Sequence, residues 1–370
     1  MADFDGILQP GDRVPDGARY LPADPALVHW GRLPRRGDAA VMAVDPGEEL
    51  VVDTVSHEGI LADQGSDPVG FFGGHGVDRE GVLDDAVAIA ATRTREAADG
   101  PHVVTGPIEV RGARPGDLLA ITLLDATPRV DYGVISNRHG RGALPGEFPQ
   151  APGEVSVFSP IARDDAEGED GGGWTGRLPL TPDGERVVRF PLAPFLGIMG
   201  VATDTSERAH SVPPGAHGGN IDIRHLTAGA TLYIPVQVPG ALAYVGDPHF
   251  AQGHGEVSLT ALEASLRARI RLDLIDATAA ARDFGDLASP LAADATHLMP
   301  TGLDEDLDEA MRACVRQAIA LLGARYGMAP HLAYAYLSAA TDFEISQVVD
   351  LVKGVHARIR RSDFEGVARA

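Results

Sequence analysis

The sequence predicts a mainly β protein, with a β-sandwich or barrel core and a C-terminal α+β segment, on three observations. Short apolar pieces broken by Pro, Gly and Asp fill the first hundred residues, Glu49 to Asp53 being one. Leu266, Ala268, Ile270, Leu272 and Leu274 alternate with Arg267, Arg269, Arg271 and Asp273. That period of two describes a strand with one buried face, here with a basic outer face. From Leu307 the period changes to that of a helix, with Met311, Cys314, Val315, Ala318 and Leu322 on one side.

Taken in order, the segments divide as follows. Residues 1–160 form an N-terminal β-rich region, interrupted by one helix predicted from about Arg79 to Ala98. Ile108 to Val110 and Leu118 to Leu124 read as strands joined by a Pro/Gly turn at Pro115 and Gly116. Residues 161–185 read as an acidic, glycine-rich loop or insertion. Residues 186–280 form a central β-rich region, in which Pro235 argues for an edge or a bulge at that point of its strand. Residues 281–370 supply a helical pair and a closing hairpin. Gly327 stops the first helix and Pro330 starts the second, while Glu344 to Leu351 and Val355 to Ile359 form the hairpin.

Composition removes several function classes. The chain has 370 residues and a net charge of −22, which repels phosphate backbones and anionic lipid, so neither nucleic acid nor membrane is an expected partner. No apolar run reaches the roughly 18 residues of a membrane span, and the acidic start at Asp3 and Asp5 does not resemble a signal peptide. A cytoplasmic location is the expectation. Cys314 is the only cysteine, so thiolate metal sites and internal disulfides are excluded. Its place on the apolar face of a helix argues against nucleophilic use.

Histidines and carboxylates in glycine-rich loops remain. They are His57, Glu58 and His75; His102; His139; His217, Asn220 and Asp222; and Asp247, His249, Gln252, His254 and Glu256. Imidazole and carboxylate together suit a divalent ion with an open position for water. Glycine beside them lets the backbone approach a ligand closely. Any one of these histidines has an ordinary structural use as well, as a surface or hydrogen-bonded side chain.

The segment from Pro213 to Glu256 resembles the central signature of the acetamidase/formamidase family, with its GGN, PV and QG-x-GE elements. His102 to Pro107, followed by Glu109 and by Pro115 to Asp117, is similar to that family's H-x-x-(S/T)-GP segment. Tyr336 to Ser338 and Ile345 to Asp350 resemble its closing helix and strand. Two departures stand out: His254 occupies the place of the aspartate in the family's QGDGE, and the stretches Ser56 to Gly59 and Phe71 to His75 match poorly.

The resemblance implies hydrolysis of a small, neutral, linear amide to ammonia and a carboxylate, in a self-associating protein, dimer or larger. The working assignment gives His102, Asp222 and His249 to one divalent ion, zinc being the expected metal. Glu256 is assigned as general base and acid, and Asn220 as a donor to the developing oxyanion. Gln252, His57, Glu58 and His217 are assigned to substrate contact. Two alternatives stay open: another C–N substrate such as a lactam or a urea, and a binding protein that keeps the pocket without turnover.

Overall fold

The computed structural model describes residues 6–163, 173–181 and 184–369. It is mostly β and has two large sheets. The first has nine strands in the order Tyr20–Leu21, Glu48–Asp53, Leu266–Ile275, Leu118–Pro128, Thr231–Pro235, Leu291–Ala293, His297–Asp304, Lys353–Arg360 and Asp342–Gln347. Strands from every part of the sequence therefore interleave in it. The second sheet runs from Val187–Pro191 through Trp174–Pro179, Glu154–Arg163, Tyr132–Arg138, Leu262–Glu263, Ala243–Ala251 and Phe195–Gly200 to Gly218–Asn220. Val103–Val110 branches from Ala243–Ala251 and itself pairs with Val28–Trp30 and Met42–Val44.

Side-chain alternation explains how the layers stack. Leu119, Ile121 and Leu123 join one apolar cluster with Leu196, Met199 and Val201 of the second sheet. Leu118 belongs instead to a second cluster, against Ala310, Cys314, Ala318 and Leu322. A helical layer thus covers one face of the first sheet and the second sheet covers the other. The helix Leu307–Tyr326 starts where the Asp306 side chain accepts from the amides of Asp308 and Glu309, and it ends at Gly327 with φ 63°. Gly302 lets this helix touch the sheet, since a β-carbon there would lie 2.1 Å from the Ala310 carbonyl oxygen. The helix Pro330–Ala340 follows as the spacing predicts. So does a closing hairpin, Asp342–Gln347 with Lys353–Arg360, although its first strand ends at Gln347 and the stretch up to Leu351 belongs to the connection.

Three readings of the sequence need correction. The helix predicted from Arg79 to Ala98 is a 3-10 turn, Arg79–Gly81, and then a helix, Asp84–Thr92. Val82 and Leu83 between them are extended at the turn of direction, because both bury completely or nearly so. The basic outer face of Leu266–Ile275 is also incomplete. Arg267 is buried, in a bidentate pair with Asp53 at 2.6 and 2.9 Å, because the N-terminal segment around Gln9 and Tyr20 covers that end. Within the acidic loop, 161–163 and 174–179 are strand, while 164–172 and 182–183 lie outside the described residues. Pro235 ends its strand opposite Leu118, beyond the Thr231 to Tyr233 stretch that pairs on the other side, so no ladder bond is missed there. Among the described residues no helix is long and apolar enough to cross a membrane.

Candidate active site

The strand Ala243–Ala251 carries the centre of the site. Asp247 and His249, two residues apart, share one face of it. Its neighbours supply the rest: Glu263 is the register partner of His249, His102 immediately precedes the strand Val103–Val110, and Asp222 follows Gly218–Asn220. His57 and Glu58 arrive from the other sheet, just after Glu48–Asp53. All of these side chains are buried.

Imidazoles surround the Asp247 carboxylate. His249 Nε2 lies 3.2 Å from its Oδ2, while His57 Nδ1 and His102 Nε2 lie 3.6 and 3.8 Å from its Oδ1. His249 Nε2 also stands 3.1 Å from Glu263 Oε1, and His249 Nδ1 is 3.9 Å from Asp222 Oδ1. Outer partners orient the rings: Ser211 Oγ is 3.1 Å from His102 Nδ1, and Gln252 Oε1 is 3.1 Å from His249 Nδ1. Gln252 is fixed in turn by donating to the carbonyls of Asp222 and Ser346. Such partners typically set the tautomer of a ligating histidine.

Several atoms in the group lack a well-directed hydrogen bond despite burial: both Asp222 oxygens, Asp247 Oδ1, His57 Nδ1, His249 Nε2 and Glu263 Oε2. Leaving so many buried polar atoms unpaired is costly, and a divalent cation is the group that would satisfy them together. The donors fall into overlapping sets whose atoms lie within 4.8 Å of one another: His57, His102 and Asp247; Asp222, Asp247 and His249; His249, Glu256 and Glu263; Asp222, Glu256 and Asp350. The mixed nitrogen and oxygen donors suit a first-row divalent ion, so the residues present fit such a group.

The backbone is held in an uncommon conformation at the acids. Asp222, Asp247 and Glu256 have φ of 47°, 52° and 47°, all in the left-handed region. Such strain persists only where surrounding structure enforces it, and it clusters at functional sites.

Protonation follows from burial and crowding. Burial would raise the Asp247 carboxyl, but His102, His249 and His57 outweigh it and hold Asp247 well below the usual carboxylate range. Burial, together with Asp222 and Asp350, pushes Glu256 well up; burial and Asp222 do the same to Asp350. Burial lowers His102 to about 4, whereas His57, despite its burial, is raised to about 10 by Asp247, Glu58 and Glu263.

Glu256 also lines a cleft of about 470 Å³, together with Gln252, His254, Arg224, Phe190 and Leu262. It therefore stands between the buried donors and an opening wide enough for a small molecule.

Of the residues singled out from the sequence, His57, His102, Asp222, His249, Glu256 and Gln252 come together. The three expected ligands do not share one donor set, however: His102 groups with His57 and Asp247, whereas Asp222 and His249 group with Asp247. Glu58 stays at the margin, 3.3 Å from His57 Nε2 and bonded to Ser136. Asn220 is buried opposite Ile198, its Oδ1 unpartnered. His217 packs over Gly215 and Gly219 and is outside these sets; burial lowers its imidazole to about 4. His75 stacks on Phe158 and His139 Nδ1 faces the Pro149 carbonyl, so both have structural partners instead.

Asp247, Glu263 and Asp350 received no role from the sequence. Asp247 was visible beside His249, and Asp350 closes the run from Ile345. Glu263 had one faint signal, a carboxylate alone among Ala261, Leu262 and Ala264.

This fold and site define a two-sheet β protein with one helical layer and a buried imidazole–carboxylate centre. A model of the Acetamidase/Formamidase family matches residues 84–206 and 203–359, most of the chain, and the protein belongs to that family. The resemblance read from His102 onward is borne out and extends upstream to residue 84. The chain is similar to a formamidase of Methylophilus methylotrophus, 31% identical over 210 residues, covering 47% of this chain and 52% of that protein. It is 29% identical over 217 residues to an acetamidase of Mycolicibacterium smegmatis, covering 47% and 53%. The chain thus spans about half the length of the curated relatives it matches. The crystal structure of an acetamidase from Bacillus halodurans superposes with a TM-score of 0.70 at 23% identity, over 94% of this chain and 99% of that one. A predicted acetamidase/formamidase from Thermoanaerobacter tengcongensis gives 0.71 at 23% identity, over 95% and 98%. At that identity these two structures show the shared fold.

Proposed function

We propose that this protein hydrolyses a small, neutral, linear amide to ammonia and a carboxylate, using a divalent ion held around Asp247. One observation carries the reading: Glu256 belongs to two of the buried donor sets and also lines the open cleft. The names of the relatives, a formamidase and an acetamidase, support the substrate class.

His57, His102 and Asp247 on one side, and Asp222 and His249 on the other, would hold the metal, with Asp247 common to both. Zinc is the ion this donor chemistry favours. When bound, it supplies Lewis acidity to the carbonyl and lowers the pKa of water toward about 7. Amides need that help, because the carbonyl is a weak electrophile and the amine leaves only when protonated. Glu256 takes the proton from the attacking water and delivers it to the leaving nitrogen. Its raised pKa, set by burial beside Asp222 and Asp350, suits a group that must hold the proton between those two events. Asn220 donates its amide to the developing oxyanion or to the substrate. Gln252 keeps His249 in place and forms part of the cleft wall. Self-association is part of this proposal and rests on the family resemblance; sedimentation of the purified chain tests it.

Ammonia release from a panel of small amides, lactams and ureas separates the readings. Turnover of formamide or acetamide supports the linear-amide assignment. Turnover only of lactams or ureas moves the substrate class, and silence across the panel with metal bound favours a binding protein.

A further inference from the structure

A second cluster of ligating side chains lies outside the group around Asp247. His225 Nε2, His254 Nε2 and His356 Nε2 approach one oxygen, Glu344 Oε2, at 2.8, 3.1 and 3.2 Å. The four residues come from three separate stretches of chain. His225 follows the strand Gly218–Asn220, His254 follows Ala243–Ala251, and Glu344 and His356 are register partners in the closing hairpin. Their ring centroids lie 5.1 to 5.6 Å apart, so the imidazoles surround a common point.

Hydrogen bonding alone accounts poorly for this geometry. A carboxylate oxygen offers about two lone-pair directions, yet three ring nitrogens share this one. The other oxygen of Glu344 is occupied by Arg358 Nη1 at 3.4 Å. His356 is buried, and its remaining nitrogen, Nδ1, is 2.8 Å from Ser346 Oγ. That outer partner directs Nε2 toward the cluster, as the second partner of a ligating histidine does.

We infer that His225, His254, His356 and Glu344 form a second metal site, at the rim of the cleft, for a first-row divalent transition metal such as zinc. Three imidazoles and one carboxylate are a donor set that zinc takes readily in tetrahedral geometry. The four ligand atoms already lie within 4.8 Å of one another, so loading the site needs only small side-chain movements. His254 is exposed and His225 and Glu344 are half-buried, which gives an ion direct access from solvent.

The site ties the loop of Glu256 to the C-terminal hairpin. His254 lies two residues before Glu256, and the Gly255 amide donates to the Ser346 carbonyl at 3.1 Å. Ser346 also accepts from Gln252, which holds His249. A metal here clasps the segment that carries the general base, without being the ion that acts on substrate.

Metal titration of the full chain tests the site independently of amide turnover. Zinc equivalents per chain are counted in the parent protein, in His225→Ala, in Glu344→Gln and in His249→Ala, with circular dichroism as the check on folding. The expected result is one zinc equivalent lost in His225→Ala and in Glu344→Gln and retained in His249→Ala at this site. Cobalt substitution reports the same site by its contribution to the visible tetrahedral band, a contribution that persists in His249→Ala and is lost in His225→Ala. Folded His225→Ala and Glu344→Gln proteins with undiminished zinc content and an unchanged cobalt spectrum overturn the inference. A missing amidase activity, by contrast, bears on the centre around Asp247 and leaves this count unaffected.

Discussion

Gly197 faces Asp247 across antiparallel strands, and a β-carbon at Gly197 would come within 2.7 Å of Asp247 Oδ2. The register places Leu196 opposite Pro248 and Ile198 opposite Gly246, which leaves Gly197 against the carboxylate. The same β-carbon would meet Asp222 Oδ1 at 2.5 Å and His249 Cε1 at 2.7 Å. Three of the donors thus pack over a bare stretch of backbone. Gly197→Ala is expected to displace them, at about 1–3 kcal/mol for overpacking. Weaker zinc binding together with a lowered melting temperature is the expected observation. A variant that binds metal and melts like the parent would show that this close approach is not required.

Glu256→Gln preserves shape and hydrogen bonding while removing proton transfer. It is expected to lower kcat by about 10²–10⁴-fold with KM little changed, the range for loss of a general acid–base. Metal content measured alongside should stay near that of the parent. A near-normal kcat would remove Glu256 from the mechanism and leave its place at the cleft as a matter of packing.

Asn220→Ala removes the amide assigned to the oxyanion. About 10²–10³-fold is expected in kcat, as for other single donors of this kind. An effect confined to KM would assign Asn220 to ground-state substrate binding instead.

Away from the site, Arg129 is fully buried and holds the N-terminal region to the core. Its Nη1 pairs with Asp85 Oδ2 at 2.7 Å, its Nη2 lies 3.6 Å from Asp53 Oδ2, and its Nε donates to the Leu8 carbonyl at 3.1 Å. Arg129→Met leaves Asp85 buried without its cation, a change that costs about 3–5 kcal/mol. Urea unfolding should show a loss of that size, and a loss below about 1 kcal/mol would mean that Asp85 is neutralised cheaply by a proton.

Much of this architecture was legible because it depends on local periodicity. The alternation from Leu266 to Leu274, the helical stripe from Leu307 to Leu322 (apart from Met311, which is exposed) and the stop at Gly327 each carry their own signal. The break at Val82 and Leu83 was not legible, because a helical pattern continues through residues that tertiary packing holds extended. Arg267 misled for a related reason: its exposure is decided by Gln9 and Tyr20, far away in sequence. At the site, His102 and His249 stood out as histidines in segments that also hold glycine, although His249 lies within the strand Ala243–Ala251 and not in a loop. Pairing across strands brought in Glu263, and the left-handed φ values of Asp222, Asp247 and Glu256 are features of assembled backbone. The cluster on Glu344 was hidden similarly, since only the hairpin register sets Glu344 beside His356.

The central claim is that amide hydrolysis depends on a divalent ion held around Asp247. Its most direct test is ammonia release from the best small amide after chelation, then after zinc add-back, with His249→Ala measured in parallel. The account predicts activity lost on chelation and restored by zinc in the parent protein, and absent from folded His249→Ala under both conditions. Turnover that survives full metal removal, or a His249→Ala protein as active as the parent, would contradict it.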